Sequence, residues 1–363
     1  MRTIVIGGSG NFGARIVRAL CVEPDIDVLI AGRRAGTVPG FPDVAGLVLD
    51  IEAPDFAARL QALAPALVIN CVGPFQSQDY RVAKAAVAVG AHYVDLADGR
   101  RFVADFAAQV NHQAAAAKKL AITGASTLPA LSSAVVESLR EGLASLRSIE
   151  VIIAPGQRAP RGAATLAAVF SYLGRDFPVW CGGRWRRVWG WMDLRRIRLD
   201  IGTRLAAACD VPDLELFPAR FPGVESVAFH ASLEFGLQHL ALWCLAALRR
   251  LGLALPVTRW ATGLNQFAGV FDASAGDKGG MAVSIVGRRV DGGLVRRTWQ
   301  LTVPAEHGPE IPCMAAILMA RRFSRGSLEK VGAFPCVGFL ELPDFESEFA
   351  QWGIATRVEE TPA

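Results

Sequence analysis

Along residues 1–125, short apolar runs rich in β-branched residues alternate with longer alanine-rich stretches. Residues 3–6, 27–31, 46–49, 67–71, 92–96 and 120–123 read as strands. Residues 10–21, 54–64, 79–89 and 101–118 read as helices between them. The strand runs are apolar at successive positions, not at every second one. A strand buried on both faces requires this, and alternation with helices implies parallel strands joined by crossovers.

After Ser126 the pattern changes. Residues 132–143 read as a helix and 149–154 as a strand. Residues 179–181 and 185–188 flank Gly182-Gly183, and residues 281–290 and 294–303 flank Asp291-Gly292-Gly293. Both are hairpin signals, so a mixed or antiparallel sheet is expected. The reading is an α/β domain at 1–125, an α+β domain for substrate and dimerisation at 126–305, and a C-terminal segment at 306–363. That last segment contains a helix at 309–323 and is expected to pack back on the first domain.

The first strand runs into Gly8-x-Gly10-x-x-Gly13, which opens the first helix. In that setting the glycines form a Rossmann dinucleotide fingerprint. Gly8 permits the turn, Gly10 lets the backbone approach a pyrophosphate, and Gly13 lets the helix pack close to the sheet. Gly7, Ser9, Asn11 and Phe12 complete the loop. The helix N-terminus offers unpaired N–H groups and a partial positive charge.

The second strand ends in Ala31-Gly32-Arg33-Arg34, with Arg33 20 residues past Gly13. An acid here would accept the ribose hydroxyls of NAD, whereas arginine pairs with the 2′-phosphate of NADP, so NADP is expected over NAD. Asp50 follows the third strand, where it could bond the adenine edge or cap the next helix. Cys71, Val72, Gly73 and Pro74 leave the fourth strand on the ligand-binding edge of the sheet. Asp95 and Asp98 follow the fifth, either facing the nicotinamide or forming a turn before the next helix.

Ile4 to Gly13, Asn70 to Phe75, and His92-Tyr93-Val94-Asp95-Leu96 together resemble the saccharopine dehydrogenase-like NADP-binding family, in order and spacing, over residues 1 to about 135. The resemblance implies a Rossmann domain joined to an α+β domain and NAD(P)-dependent oxidoreduction. Two places depart from the family's saccharopine reductases. Ser126-Thr127-Leu128-Pro129-Ala130 has Leu128 where an acid falls, and Ala154-Pro155-Gly156 stands where a cysteine and two glycines are usual. Both departures remove groups expected to contact an amino-dicarboxylic substrate.

Composition narrows the classes further. The chain is 52% hydrophobic and 20% charged, which excludes a disordered protein. Its net charge of +4 suits an anionic cofactor, and no nucleic-acid-binding signature accompanies the arginines. The seven cysteines form no C-x-x-C pair and the five histidines no metal-ligand spacing, so no metal is expected. No G-x-S-x-G elbow is present. The first residues carry no secretory signal pattern, which leaves a cytoplasmic expectation.

The mean hydropathy of +0.31 is high for a soluble enzyme. Two stretches bear on it. Trp180, Trp185, Trp189 and Trp191 interleave with five arginines, either as an ordinary two-faced ribbon or as a grip on an acidic or lipid headgroup. Residues 240–248 form an apolar run too short to span a bilayer, expected as a buried or dimer-forming helix, with contact to a membrane surface as the lesser reading.

The leading expectation is an NADP-dependent oxidoreductase. It would exchange hydride between the nicotinamide and a small carbonyl, imine or alkene, as a homodimer, with Asp98, Tyr80 and His307 as candidate proton carriers. The alternative is a dinucleotide-binding protein without turnover, membrane-associated or redox-sensing.

Overall fold

The apolar runs of the N-terminal third form β1 (Arg2–Ile6), β2 (Asp27–Gly32), β3 (Gly46–Val48), β4 (Leu67–Asn70), β5 (His92–Asp95) and β6 (Leu120–Thr123). Between them lie α1 (Gly13–Leu20), α2 (Phe56–Leu63), α3 (Arg81–Ala88) and α4 (Arg100–Ala116). Then follow α5 (Ser132–Leu139), β7 (Leu143–Ala154), α6 (Ala163–Tyr172), β8 (Asp176–Trp180), β9 (Trp185–Trp189), β10 (Arg195–Leu199) and β11 (Gly202–Ala208). The chain continues through α7 (Asp213–Arg220), β12 (Ser226–Ser232), α8 (Gly236–Arg250), β13 (Lys278–Arg289) and β14 (Leu294–Pro304). It ends with α9 (Ile311–Ser324), β15 (Gly332–Pro335), α10 (Leu342–Phe349) and β16 (Ala355–Pro362). The computed structural model describes residues 1–41, 44, 46–160, 162–253, 263, 269 and 271–363.

Two compact units result: Met1–Leu131 with Pro309–Leu340, and Ser132–Gly308 with Glu341–Ala363. The first holds a parallel sheet in the order β15-β6-β5-β4-β1-β2-β3. Chain order reverses between β1 and β4, and in such sheets the crevice at that switch point binds ligands. All four residues of β4 and of β6 are buried, as the doubly covered reading requires. The seventh strand, β15, comes from the far end of the sequence and extends the sheet beyond β6.

The second unit holds a mixed sheet in the order β10-β11-β12-β7-β13-β14-β16, plus the β8–β9 hairpin. β12 and β7 are parallel, and every other pairing in the large sheet is antiparallel. Both expected hairpins form. Gly182 and Gly183 turn the first with φ of 63° and 69°, and Gly292 turns the second with φ of 91°.

Some boundaries differ from expectation. α1 begins at Gly13 and not at residue 10, because the Gly10 N–H bonds the Gly7 carbonyl (2.9 Å) and the loop is a turn before it is a helix. α5 stops at Leu139, three residues before Gly142, which adopts φ of 73° and turns the chain into β7. β7 therefore starts at Leu143, six residues before the expected strand, and its early part pairs with the polar end of β13. The expected burial of the 240–248 helix is not found: within α8 only His239 and Ala246 are buried.

Candidate functional site

The first unit gathers its loops at the β1/β4 switch point. A Cβ built on Gly7 would lie 3.1 Å from Val72 Cγ2 and 3.3 Å from the Cys71 carbonyl carbon, so the two loops touch. The same construction on Gly13 would put a Cβ inside the Gly7 carbonyl oxygen and 2.7 Å from Gly8 Cα. On Gly10 it would meet nothing closer than the Gly7 oxygen at 3.1 Å. Gly13 thus sets the packing of α1 on the turn, while Gly10 leaves a surface open to a ligand. Among the described residues, the Ser9, Phe12 and Gly13 N–H groups have no acceptor. These donors at a helix N-terminus suit a pyrophosphate.

The loop is held from behind. Arg15 donates to Glu310 at 2.8 Å, to the Asn11 carbonyl at 2.6 Å and to Asn11 Oδ1 at 2.7 Å. Asn11 therefore turns its side-chain oxygen toward α1. The Cys313 thiol donates to the Phe12 carbonyl at 3.5 Å. Sequence reading missed Arg15, Glu310 and Cys313. Glu310 lies 295 residues from Arg15, and no local pattern couples them.

Arg33 and Arg34 are exposed just past β2, and among the described residues neither meets a carboxylate. A Cβ on Gly36 would come within 2.7 Å of the Ser9 side chain. The arginine loop therefore lies beside the glycine loop. Asp50 is half-buried after β3, and its Oδ1 accepts from the Glu52 N–H at 3.0 Å. That is a local turn bond.

Past β4, Asn70 Oδ1 accepts from the Val72 N–H (3.1 Å), and Gln78 donates to the Val72 carbonyl. Gly73 and Pro74 carry the chain to the short turn Phe75–Ser77. Burial pushes the Cys71 thiol well up, helped by the charge of Asp95. The thiol is held protonated and unreactive.

Asp95 ends β5, fully buried. Its Oδ1 accepts from the Ala97 N–H (2.9 Å), the Gly124 N–H (2.8 Å) and the Thr123 hydroxyl (2.8 Å). Burial pushes its carboxyl up to about 6 against the pull of these donors. The three bonds tie the loops after β5 and β6 together.

Asp98 is half-buried and accepts from Gln76 at 3.1 Å. Burial raises its carboxyl above the usual range, and the Gln76 bond opposes this. Tyr80 stacks on Phe102 at 4.7 Å and donates its hydroxyl to the Phe102 carbonyl at 3.2 Å. Burial raises that phenol too, with Asp105 adding to it. Asp98 and Tyr80 thus share the loops beyond β4 and β5. His307 belongs to the second unit, 5.2 Å from the Trp352 ring and 3.7 Å from Glu306.

The 154–156 turn of the second unit is held by Arg204, which donates to the Ala154 and Pro155 carbonyls at 3.3 and 3.0 Å. Arg204 is buried beside Glu234 at 3.9 Å, and Glu234 accepts from the Gln157 N–H at 2.7 Å. Sequence reading did not single out this pair.

Residues 3–128 match the model of the saccharopine dehydrogenase NADP binding domain. Among solved structures, the chain is similar to saccharopine dehydrogenase (L-Glu forming) from Saccharomyces cerevisiae, with 12% identity, 99% of each chain covered and a TM-score of 0.70. It is also similar to homospermidine synthase from Legionella pneumophila in complex with NAD, with 10% identity, 100% and 91% covered and a TM-score of 0.62. DAP dehydrogenase from C. glutamicum in complex with DAP matches at 17% identity, 96% and 98% coverage and a TM-score of 0.51. At these identities the likeness is one of fold. No curated protein sequence matches the chain.

Proposed function

We propose, from the premise that this chain belongs to the saccharopine dehydrogenase-like NADP-binding family, that it is an NADP-dependent oxidoreductase acting on a small carbonyl, imine or alkene. The observation that carries the reading is the glycine loop with its unaccepted N–H groups beside two exposed arginines that meet no carboxylate among the described residues. The loop from Gly7 to Gly13 would hold the pyrophosphate, and Arg33 and Arg34 the 2′-phosphate. Cys71 to Pro74 would line the crevice, with Asp95 bracing it from inside. When bound, the nicotinamide supplies or accepts the hydride.

Charge-assisted bonds to a phosphate are worth about 1.5–3 kcal/mol each. Arg33→Ala with Arg34→Ala should therefore weaken NADPH binding by roughly 10²–10⁴-fold and leave NADH affinity nearly unchanged. Calorimetric titration of the double variant and the parent with both cofactors checks this. Equal losses for both cofactors would remove the arginines from 2′-phosphate recognition.

Asp98 fits the proton carrier better than Tyr80, whose hydroxyl is already donated to a helix carbonyl. A carboxyl raised by burial stays protonated to higher pH and can donate. Reduction should then slow as pH rises through its titration. Small carbonyls, imines and alkenes can be screened with NADPH by nicotinamide absorbance. For a substrate found in this way, Asp98→Asn should lower kcat by roughly 10²–10⁴, flatten the pH profile and spare NADPH affinity. An unchanged profile would exclude Asp98.

A further inference from the structure

Helix α8 is apolar on its outside. Its inward positions are His239, fully buried with neither ring nitrogen partnered among the described residues and its imidazole pushed down to about 4 by burial, and Ala246. His239 packs 5.3 Å from the Trp191 ring. On the opposite side, Leu237, Leu240, Cys244, Leu248 and Leu251 recur at intervals of three and four, one arc of a helix. Leu237 is 69% exposed, Leu251 80% and the following Leu253 51%. An ordinary surface helix carries its charge here, and α8 has none before Arg249.

The C-terminal end of the helix is basic. No Asp or Glu occurs from residue 235 to 271, whereas Arg249 and Arg250 close the helix. At that end the Arg250 guanidinium lies 4.0 Å from the ring centroid of Trp189 in the β8–β9 hairpin, and Arg249 donates to the Phe170 carbonyl of α6 at 3.2 Å. The hairpin carries Arg184 and Arg186, both exposed and without a carboxylate partner among the described residues, and Trp185, 46% exposed. Arg187 pairs with Asp176 at 2.7 Å.

We propose that α8 and the β8–β9 hairpin form a docking surface for an anionic phospholipid bilayer. The leucine arc would sink to the acyl boundary while the arginines meet headgroup phosphates and Trp185 anchors at the interface. No helix among the described residues is long and apolar enough to cross a membrane, so the contact is peripheral. Charge favours lipid over a second copy of the chain. A stripe packed on its own copy brings no acid from residues 235–271 to the arginine rim, whereas an anionic leaflet neutralises it.

The full chain should co-sediment with vesicles of phosphatidylcholine and phosphatidylglycerol at least tenfold better than with phosphatidylcholine alone, and high salt should weaken the binding. Leu240→Glu with Leu248→Glu should reduce binding at least tenfold while leaving NADPH affinity and the thermal transition unchanged. An environment-sensitive dye on Cys244, an exposed cysteine on the arc, should blue-shift with anionic vesicles in the otherwise unaltered chain. No vesicle binding and no blue shift would overturn the proposal. So would a concentration-dependent dimer, lost in the double variant, from a chain that ignores vesicles.

Discussion

Gly10→Val is expected to abolish measurable NADPH binding, a loss of at least about 100-fold or roughly 2.7 kcal/mol, with a much smaller cost in stability than the same change at Gly13. A Cβ at Gly10 meets only the Gly7 carbonyl oxygen within 4 Å, a tight 3.1 Å contact that asks the turn to give slightly, and it has open space on its other sides. The added methyls would fill the space where the pyrophosphate must approach the backbone. Gly13→Val should behave in the opposite way. There the clash is with backbone, the Gly7 carbonyl and Gly8 Cα, which cannot rotate aside. The helix must lift from the turn, and a loss of about 3–5 kcal/mol is expected. Thermal unfolding and NADPH titration of the two variants separate a ligand-facing glycine from a packing glycine. If Gly10→Val binds as the parent does, the pyrophosphate does not lie on this loop.

Asp213→Asn should stabilise the protein, increasingly so as pH rises. Asp213 opens α7, is 1% exposed, and neither carboxyl oxygen has a hydrogen-bond partner among the described residues. Burial pushes its carboxyl from 3.8 up to about 7, and the nearby Ser132 hydroxyl offsets this only in part. The folded state therefore holds its proton to a higher pH than the unfolded state. Stability falls as pH rises between about 4 and 7, and the ionised group continues to destabilise the fold above that window. Asparagine keeps the shape and cannot ionise. The gain at pH 8 should be roughly 2–4 kcal/mol, on the order of 10 °C in the thermal midpoint, and should vanish near pH 4. Asp95 gives a slope of the same sign between about 4 and 6 in the first unit. A variant with the parent's dependence of midpoint on pH would show that the Asp213 carboxylate is solvated in the fold.

The first unit was legible because each of its strands is an apolar run between clear breaks, and because the glycine spacing has one structural meaning in that context. β15 was not. Gly332-Ala333-Phe334-Pro335 carries no strand pattern, and it pairs with β6 through residues more than two hundred positions away. β16 was hidden for a different reason: Ala355–Pro362 is polar and exposed nearly throughout, and its register with β14 runs alongside surface ion pairs such as Arg297–Glu360 at 2.7 Å. α8 misled because an apolar run signals burial, and sequence alone does not say which side of a helix faces the sheet.

The site divides in the same way. The loops nominated from sequence meet at the switch point, but their roles differ. Asn11 and Asp50 spend their side chains on local bonds, and Asp95 braces loops from inside. The supports Glu310 and Cys313 come from the far end of the chain, so only the folded form brings them to the loop.

The central claim is that the first unit holds NADPH through its glycine loop and arginine pair. Calorimetric titration of the purified chain with NADPH and NADH tests it most directly. Saturable NADPH binding at least tenfold tighter than NADH is the predicted result; binding of neither cofactor would contradict it.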